Sequence, residues 1–324
     1  MSALLEVDKL EVTFGSGTAA VRGASFTVER GETHCLVGES GCGKSVTALS
    51  IMDLLARGAD RRAARLAFEG NDLRSLPDAA MARLRGNEMA MIFQEPMTSL
   101  NPAYTVGSQM TEGLRRHRKA SQREATDRAA DLMARVGITA PGLRLDQVPH
   151  QLSGGLRQRV MIAMALMCDP KLLIADEPTT ALDVTVQAQI LRLLAALQRD
   201  LGLGLLLITH DLGIVARIAT RVSVMYAGEI VESAPTAELF ANPKHPYTQG
   251  LLRCVPVPGK IRRDQPLGSI PGTVPRIGPG FAGCAFRDRC GFADETCAHA
   301  IPLHHAGPAH DFLCRLPATV KSLP

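Results

Sequence analysis

Short apolar segments alternate with helical segments along the first 234 residues of the chain. The apolar segments have the length of strands and lie at residues 6–14, 24–28, 33–37, 89–93, 171–175 and 204–209. Several of them are apolar at almost every position, which is typical of strands buried on both faces of a parallel sheet. Apolar residues recur with helical spacing at 45–56, 156–167 and 184–198. This alternation predicts an α/β fold.

Two charged segments interrupt the alternation. Residues 111–136 are charged and have helical spacing without a strand pattern, so we predict a helical insertion between two strands. Residues 57–65 contain a run of arginines, which we interpret as a solvated loop because charge runs are usually solvated. A basic binding patch is the alternative interpretation.

The composition changes after about residue 235. Residues 255–283 contain six prolines and six glycines, a density that forbids a long helix or a central strand and predicts an extended connection. Four of the eight cysteines then fall within the last 41 residues. We therefore predict two parts, residues 1–234 and residues 235–324.

Composition and charge exclude several classes of protein. Hydrophobic residues make up 46% and charged residues 21% of the chain, as in folded proteins. The net charge of +4 gives no sign of a nucleic-acid-binding surface. No apolar run approaches the roughly 20 residues of a membrane span, and the first residues lack the features of a signal peptide. We expect a cytosolic chain that binds no nucleic acid and keeps its thiols reduced.

The phosphate loop, residues 38–45 (GESGCGKS), follows the predicted strand at 33–37 and begins a predicted helix. Its glycines let successive backbone N–H groups point at phosphate oxygens. We expect Lys44 to bind the β- and γ-phosphates and the Ser45 hydroxyl to bind Mg²⁺; an ordinary glycine-rich turn is the alternative. The candidate nucleotide-binding residues here are Gly38, Ser40, Gly41, Cys42, Gly43, Lys44, Ser45 and Val46.

Two further segments add candidate chemistry. The apolar segment 172–175 ends in Asp176 and Glu177; the first carboxylate can hold Mg²⁺, and the second can polarise an attacking water. In residues 152–159 (LSGGLRQR), Ser153 can cap the following helix and two glycines leave its first amides open to an anion. Taken alone, these features also fit an ordinary buried strand and an ordinary capped helix.

In this order, the three segments resemble those of the nucleotide-binding subunits of ATP-binding cassette (ABC) transporters, and the resemblance covers nearly all 324 residues. It implies a phosphate-loop NTPase with an N-terminal antiparallel β subdomain, a helical subdomain at about 100–165 and a Cys-rich C-terminal extension. One departure is Leu156, where the superfamily usually has Gln.

The resemblance also implies roles for single residues. Phe14 resembles the aromatic residue that stacks on adenine, with a core Phe as the alternative. Gln94 resembles the glutamine that senses the γ-phosphate, binds Mg²⁺ and faces the membrane subunits. Asp183, in the segment 181–183, resembles the aspartate of the dimer interface, and His210 resembles the histidine that contacts the γ-phosphate.

The same resemblance implies a mechanism in which two cassettes pair head to tail. ATP lies between the phosphate loop of one cassette and Ser153, Gly154 and Gly155 of the other, and Glu177 activates the attacking water. The catalytic candidates are Lys44, Gln94, Glu177 and His210, and the Mg²⁺ candidates are Ser45, Gln94 and Asp176.

Residues 97–102, 245–248 and 283–290 resemble the oligopeptide, dipeptide and nickel import branch, and residues 45–47 favour its D-type subunit. This resemblance implies an ATP-hydrolysing subunit that powers import of di- and oligopeptides from the cytoplasmic face of the inner membrane. The implied partners are a paralogous ATPase subunit, two permease subunits and an extracytoplasmic solute-binding protein. An importer of nickel or another small solute is one alternative, and a soluble ABC ATPase of DNA repair or translation is another.

The clustered cysteines are Cys284, Cys290, Cys297 and Cys314. Four thiolates can hold zinc or an iron–sulfur cluster, and the segment lacks the C-x-x-C pairs of zinc ribbons. The resembled branch has members with a 4Fe-4S cluster at a matching set, so we expect that cluster, with zinc or free thiols as alternatives. Residues that could offset its charge, shield it or replace a ligand are Arg287, Arg289, Arg315, Phe286, Phe292, Phe312, His299, His304, His305 and His310.

Overall fold

The computed structural model describes residues 3–15, 17–94, 99–180, 182–255, 268–278 and 280–315. The chain forms two compact units, each discontinuous in sequence. The first unit comprises Met1–Val28, His34–Arg74 and Thr209–Pro324, and the second comprises Glu29–Thr33 and Ser75–Ile208.

The strands carry the apolar segments of the chain. In order they are β1 (Leu5–Phe14), β2 (Thr18–Val28), β3 (Thr33–Val37), β4 (Ala59–Arg62), β5 (Arg65–Phe68), β6 (Asn71–Asp72), β7 (Met89–Ile92), β8 (Leu172–Asp176), β9 (Gly204–Thr209), β10 (Arg221–Tyr226), β11 (Glu229–Pro235), β12 (Leu303–Gly307) and β13 (His310–Leu313). The α-helices are α1 (Lys44–Ile51), α2 (Asp78–Leu84), α3 (Val106–Arg118), α4 (Gln122–Arg135), α5 (Pro141–Leu145), α6 (Gly154–Ala165), α7 (Val184–Leu201), α8 (Leu212–Ile218), α9 (Thr236–Ala241) and α10 (Pro246–Arg253). Short 3₁₀ turns lie at Pro149–Gln151, Arg287–Arg289 and Glu295–Ala298.

The first unit contains an antiparallel sheet in the order β2-β1-β5-β6, in which β4 also pairs with β1. Leu5 and Val7 of β1 are buried, and beyond a shift in register so are Leu10 and Val12, so alternate residues face the core on either side of the shift. In the same unit, β10 pairs in parallel with β3 and antiparallel with β11. The hairpin of β12 and β13 extends the pairing through β11. The expected N-terminal antiparallel subdomain is therefore confirmed.

The second unit is built on the parallel strands β7, β8 and β9. Every residue of β8 and β9 is buried, which explains why both strands are apolar up to their last residues, Asp176 and Thr209. Helices α3, α4, α5 and α6 follow β7 along the chain, and α3 and α4 replace the single helical stretch expected at 111–136. No helix of the described residues is both long and apolar enough to cross a lipid bilayer.

The prediction of a solvated loop at 57–65 is wrong, because residues Ala59–Arg62 form β4. Backbone pairing with β1, in which Thr13 lies opposite Asp60, stabilises a strand despite the charges. Arg61 is accommodated because its Nη1 donates to the carbonyl oxygen of Ser50 at 2.6 Å and pairs with Asp53 at 3.2 Å. Tertiary pairing here outweighs the local charge pattern.

The extended connection predicted at 255–283 agrees with the described part of that segment. Residues 268–278 and 280–283 contain no helix or strand. Residues 256–267 and Pro279 lie outside the described residues.

Candidate functional site

The phosphate loop connects β3 to α1 in the first unit, and glycine is required within it. Gly43 has a φ of +109°, and a Cβ at this position would lie 2.4 Å from the carbonyl oxygen of Ala20. The backbone N–H of Gly228 donates to the carbonyl oxygen of Cys42 at 2.9 Å. The loop is thus packed closely against β2 and the turn that joins β10 to β11.

Lys44 is the first residue of α1 and folds back over the loop. Its Nζ donates to the carbonyl oxygens of Gly38 at 2.9 Å and Glu39 at 3.0 Å, and the residue is only 4% exposed. Ser45 and Val46 follow it in the first turn of the helix and are half-buried. The ammonium group therefore lies within reach of the loop backbone that is predicted to bind phosphate.

Two other predicted residues of the first unit are accessible. Phe14 is the last residue of β1 and is half-buried. It is therefore not one of the buried core residues, as the alternative interpretation of a core Phe would require. His210 follows β9 directly and is exposed. The next residue, Asp211, caps α8 by accepting from the N–H groups of Gly213 at 2.9 Å and Ile214 at 3.2 Å.

In the second unit, the structure brings together Gln94 and Glu177. The Oε2 atom of Glu177 accepts from Gln94 Nε2 at 3.2 Å and from Thr180 Oγ1 at 3.0 Å. Glu177 has a φ of +42°, an uncommon conformation for a residue with a side chain that often marks a functional position. Its N–H donates to the carbonyl oxygen of Ile208 at 3.0 Å, which holds the turn.

Asp176 precedes Glu177 as the last residue of β8 and is 4% exposed. The two carboxylates therefore occupy different environments, since Asp176 is buried and Glu177 is half-buried and held by hydrogen bonds. The role of Thr180 in orienting Glu177 was not predicted from the sequence; a hydroxyl three residues after a predicted catalytic carboxylate is the signal that could have found it. Residues Glu95, Pro96, Met97 and Thr98, which follow Gln94, lie outside the described residues.

The segments around Ser153 and Asp183 lie side by side in the second unit. Ser153 caps α6 by accepting from the N–H of Leu156 at 3.4 Å, and Asp183 caps α7 by accepting from that of Val186 at 2.9 Å. A Cβ on Gly155 would lie 3.1 Å from Val186 Cγ1. Gly154 and Asp183 are exposed, and Ala181 lies outside the described residues.

The cysteine cavity is a space in the first unit that is lined by all four clustered cysteines, Cys284, Cys290, Cys297 and Cys314. Burial raises the pKa of the Cys284 thiol to about 11 and also raises the pKa of Cys290. Nevertheless, within the described part of the chain no three His, Cys, Asp or Glu side chains form a group that could hold a metal ion.

The residues predicted to surround the cysteines divide into two sets. Phe286, Phe292, Arg287 and Arg315 line the cavity. Arg289 and Phe312 do not: Arg289 pairs with Glu39, and Phe312 lies in β13, opposite Glu232 of β11. The predictions for these two residues are wrong, because chain proximity to a cysteine does not determine the direction of a side chain.

The histidines predicted as substitute ligands do not line the cavity. His310 Nε2 lies 2.8 Å from Glu232 Oε1, and His305 Nδ1 lies 2.6 Å from Asp311 Oδ1. His304 stacks on Phe312, with ring centroids 5.3 Å apart. His299 follows the last 3₁₀ turn and is exposed.

Comparisons with known proteins show the family to which the chain belongs. Residues 21–180 match the family described as ABC transporter, and residues 231–297 match the oligopeptide/dipeptide transporter C-terminal region. The dipeptide transport ATP-binding protein DppD of Haemophilus influenzae is 49% identical over 328 aligned residues, which cover 99% of this chain and 98% of the relative. This chain belongs to the ABC transporter family.

Other ABC transporter proteins extend the comparison. DppD of Escherichia coli is 50% identical over 304 residues, covering 93% of this chain and 92% of the relative. Among solved structures, cbiO1 of Clostridium perfringens, part of the ABC transporter complex cbiONQ, matches with a TM-score of 0.64 at 28% identity. The match covers 74% of this chain and 92% of that one. The predicted ABC ATPase fold is confirmed.

Proposed function

We propose that this chain hydrolyses ATP to power the import of dipeptides and oligopeptides through permease subunits in the membrane. The observation that carries the proposal is the Glu177 carboxylate, which Gln94 and Thr180 orient beside the buried Asp176. The family membership supports it, since the near full-length relatives are named as dipeptide transport ATP-binding proteins.

In this proposal the phosphate loop supplies the phosphate contacts. Lys44 and the backbone N–H groups between Ser40 and Val46 bind the phosphates, and Phe14 stacks on the adenine. Ser45, Gln94 and Asp176 would hold Mg²⁺, whose charge would offset that of the phosphate oxygens. The support is the burial of Lys44 within the loop and the exposure left to Phe14.

Hydrolysis in this proposal depends on Glu177, Gln94 and His210. Glu177 accepts a proton from the attacking water, which makes that water a better nucleophile. Gln94 and Thr180 keep the carboxylate in one orientation, and His210 binds the γ-phosphate. Fixed donors and acceptors of this kind lower the barrier because they need no reorganisation during the reaction.

The variant Glu177→Gln tests this assignment. It keeps the size of the side chain and one acceptor oxygen but removes the base, so we expect ATP binding to remain and turnover to fall at least about 100-fold. ATP affinity and steady-state phosphate release would be measured on the purified full chain. Glu112→Gln, at an exposed position of α3, is the matched control. Turnover of Glu177→Gln at the level of the control would refute the role of Glu177.

We also propose that two cassettes pair, with the second supplied by a paralogous ATPase subunit. Ser153, Gly154 and Gly155 would then bind the ATP held by the partner, through the open N-terminus of α6. Asp183 would lie at the same interface. The exposure of Ser153, Gly154 and Asp183 supports this arrangement.

The proposed assembly lies at the cytoplasmic face of the inner membrane and includes two permeases and a solute-binding protein. Reconstituting it in vesicles tests the solute, because only the transported solute should stimulate ATP hydrolysis. Stimulation by dipeptides supports the proposal, and stimulation by nickel alone would favour the alternative importer of the same branch. A chain that hydrolyses ATP without associating with permeases would instead favour a soluble ATPase.

For the cysteine cavity we propose a 4Fe-4S cluster held by Cys284, Cys290, Cys297 and Cys314. The support is that all four thiols line one cavity with two arginines and two phenylalanines. The described residues contain no group of three ligands that could hold a metal ion, so the proposal rests on the shared cavity and on the set of four thiols. When bound, the cluster would link the four cysteine side chains and could accept an electron.

Purification without oxygen tests this proposal. We expect matched iron and sulfide per chain, and we expect Cys290→Ser to lose both. Cys254→Ser is the matched control, because Cys254 does not line the cavity. Stoichiometric zinc would show that the cysteines bind zinc instead of a cluster. The absence of iron, sulfide and zinc would show that the thiols are free.

A further inference from the structure

Arg289, in the C-terminal extension, uses every donor of its guanidinium group, and two of these donors bind Glu39 of the phosphate loop. Nη1 and Nη2 donate to the two carboxylate oxygens of Glu39 at 2.6 Å and 3.0 Å. Nη1 also reaches Tyr226 Oη at 3.3 Å. Nη2 and Nε donate to the carbonyl oxygens of Ile270 at 3.1 Å and Pro271 at 2.7 Å. All five N–H groups thus have acceptors, which makes this a specific arginine site.

The surroundings of Arg289 keep its pairing with Glu39 in one geometry. Its side chain is only 5% exposed, and its guanidinium carbon lies 5.7 Å from the ring centroid of Tyr226 and 5.9 Å from that of Phe286. A forked, charge-assisted pair of this kind is stronger and more directional than an ordinary surface ion pair. The pair joins residues 250 positions apart in the sequence.

Tyr247, in α10, holds the same loop residue from a second direction. The backbone N–H of Glu39 donates to Tyr247 Oη at 2.9 Å. Tyr247 is fully buried, and its ring lies 4.6 Å from that of Tyr226. The hydroxyl is therefore fixed by the packing of its ring rather than by the loop itself.

Glu39 is thus held at its side chain by Arg289 and at its N–H by Tyr247, while its carbonyl oxygen accepts from Lys44. The loop around it contains three glycines, which have the greatest backbone freedom of all residues. Ordering such a loop opposes ligand binding unless other contacts have already ordered it.

We propose that Arg289 and Tyr247 are positioning residues that preorganise the phosphate loop for ATP through Glu39. The C-terminal extension then sets the affinity of the cassette for nucleotide without contacting it. This inference rests on the proposed function of the loop in binding ATP.

The test measures ATP affinity, KM and kcat on the purified full chain for Arg289→Ala, Arg289→Lys and Tyr247→Phe. We expect Arg289→Ala to raise Kd and KM about tenfold, as for the loss of a charged hydrogen-bonded pair. The change in kcat should be smaller than about twofold, because the residue does not touch the reacting atoms. Arg289→Lys should recover only part of the affinity, because the ammonium group of lysine cannot form a bidentate pair with the carboxylate of Glu39.

Arg276→Ala is the matched control, because Arg276 is an exposed arginine of the same extension. In the double variant Glu39→Ala with Arg289→Ala, the effects should not add, since both remove one interaction. A folded Arg289→Ala protein with the KM of the control would overturn the inference.

Thermal unfolding without nucleotide shows whether each variant is folded. Should Arg289→Ala not fold, Tyr247→Phe decides: it removes a single hydroxyl, and a KM equal to the wild-type value would refute the role of the extension. Failure of the proposed function is distinguishable, because the wild-type chain itself would then bind no ATP.

Discussion

The phosphate loop consists of eight consecutive residues, whereas the cysteine cavity takes its four thiols from a segment of 31 residues, 284–314. In the loop, the hydrogen bonds of Lys44 reach back only five and six positions. In the cavity, the N–H of Cys284 donates to the carbonyl oxygen of Cys297 at 2.8 Å, and Cys314 follows β13. The residues of the first site are thus contiguous in the sequence, although distant residues such as Arg289 also hold the loop. Those of the second site are brought together by the packing of a longer segment.

This difference explains why the sequence predicts the geometry of the first site better than that of the second. A motif whose residues are neighbours can be recognised from the sequence, since turns and helix starts are local structures. Spaced cysteines specify only a set of donors, and the path of the chain between them decides which side chains share the space. Arg289 illustrates this point, because it precedes Cys290 directly and yet pairs with Glu39.

Substituting Gly43 by alanine should have the largest effect on the phosphate loop and on the stability of the chain. The new Cβ would lie 2.4 Å from the carbonyl oxygen of Ala20 at a φ of +109°, so the loop must shift. We expect Gly43→Ala to lose measurable ATP binding and about 1–3 kcal/mol of the free energy of unfolding, measured by calorimetry and denaturant titration.

Gly142→Ala is the control for this prediction. Gly142 lies in α5 with open space at its Cβ position, so ATP binding and stability should stay close to those of the wild-type chain. Equal behaviour of the two variants would contradict the view that the loop has no room for a Cβ atom at position 43.

The corresponding change in the cysteine cavity is Gly283→Ala. Gly283 has a φ of +86°, and a Cβ there would lie 2.3 Å from the carbonyl oxygen of Cys297. We expect a similar loss of about 1–3 kcal/mol in stability, loss of any bound iron, and a much smaller effect on ATP affinity than Gly43→Ala has. Iron analysis and calorimetry on the same samples check this. A Gly283→Ala protein that loses ATP binding completely but keeps its iron would contradict this prediction.

The pH dependence of stability should sharpen the comparison with a smaller effect. Burial lowers the pKa of His34, in the strand before the phosphate loop, to about 3, and that of His245, at the cysteine cavity, to about 4, from an ordinary value of 6.5. The unfolded chain therefore takes up protons that the folded chain does not. The free energy of unfolding should be greatest above about pH 6.5 and fall below it, with a slope that approaches about 1.4 kcal/mol per pH unit for each histidine as the pH decreases further.

Denaturant titrations between pH 5.5 and pH 7.5, a range of roughly one unit either side of the ordinary histidine pKa, measure this slope. In the wild-type chain the N–H of Tyr247 donates to His245 Nδ1 at 3.1 Å, and His245→Asn keeps an acceptor for it. This variant should remove the contribution of one histidine to the slope. His34→Asn should remove the other. A slope that neither variant reduces would show that other groups govern the acid sensitivity.

Much of the candidate ATP site was predictable from the sequence. The phosphate loop between β3 and α1, the carboxylates that end β8 and the Ser153 cap of α6 all lie where the sequence predicts them. The contact of Thr180 with Glu177 was not predicted, because it depends on the turn that gives Glu177 its positive φ. Strand β4 was not predicted either, because it exists only through its pairing with β1.

The sequence by itself determined the α/β alternation, the phosphate loop and the set of cysteines, because short-range periodicity and contiguous motifs specify local structure. Only the tertiary structure decided that Gln94 meets Glu177, that four cysteines share one cavity and that Arg289 pairs with Glu39. The physical reason is that such contacts join residues far apart in the chain. Their partners are selected by the packing of strands and helices, which no local pattern encodes.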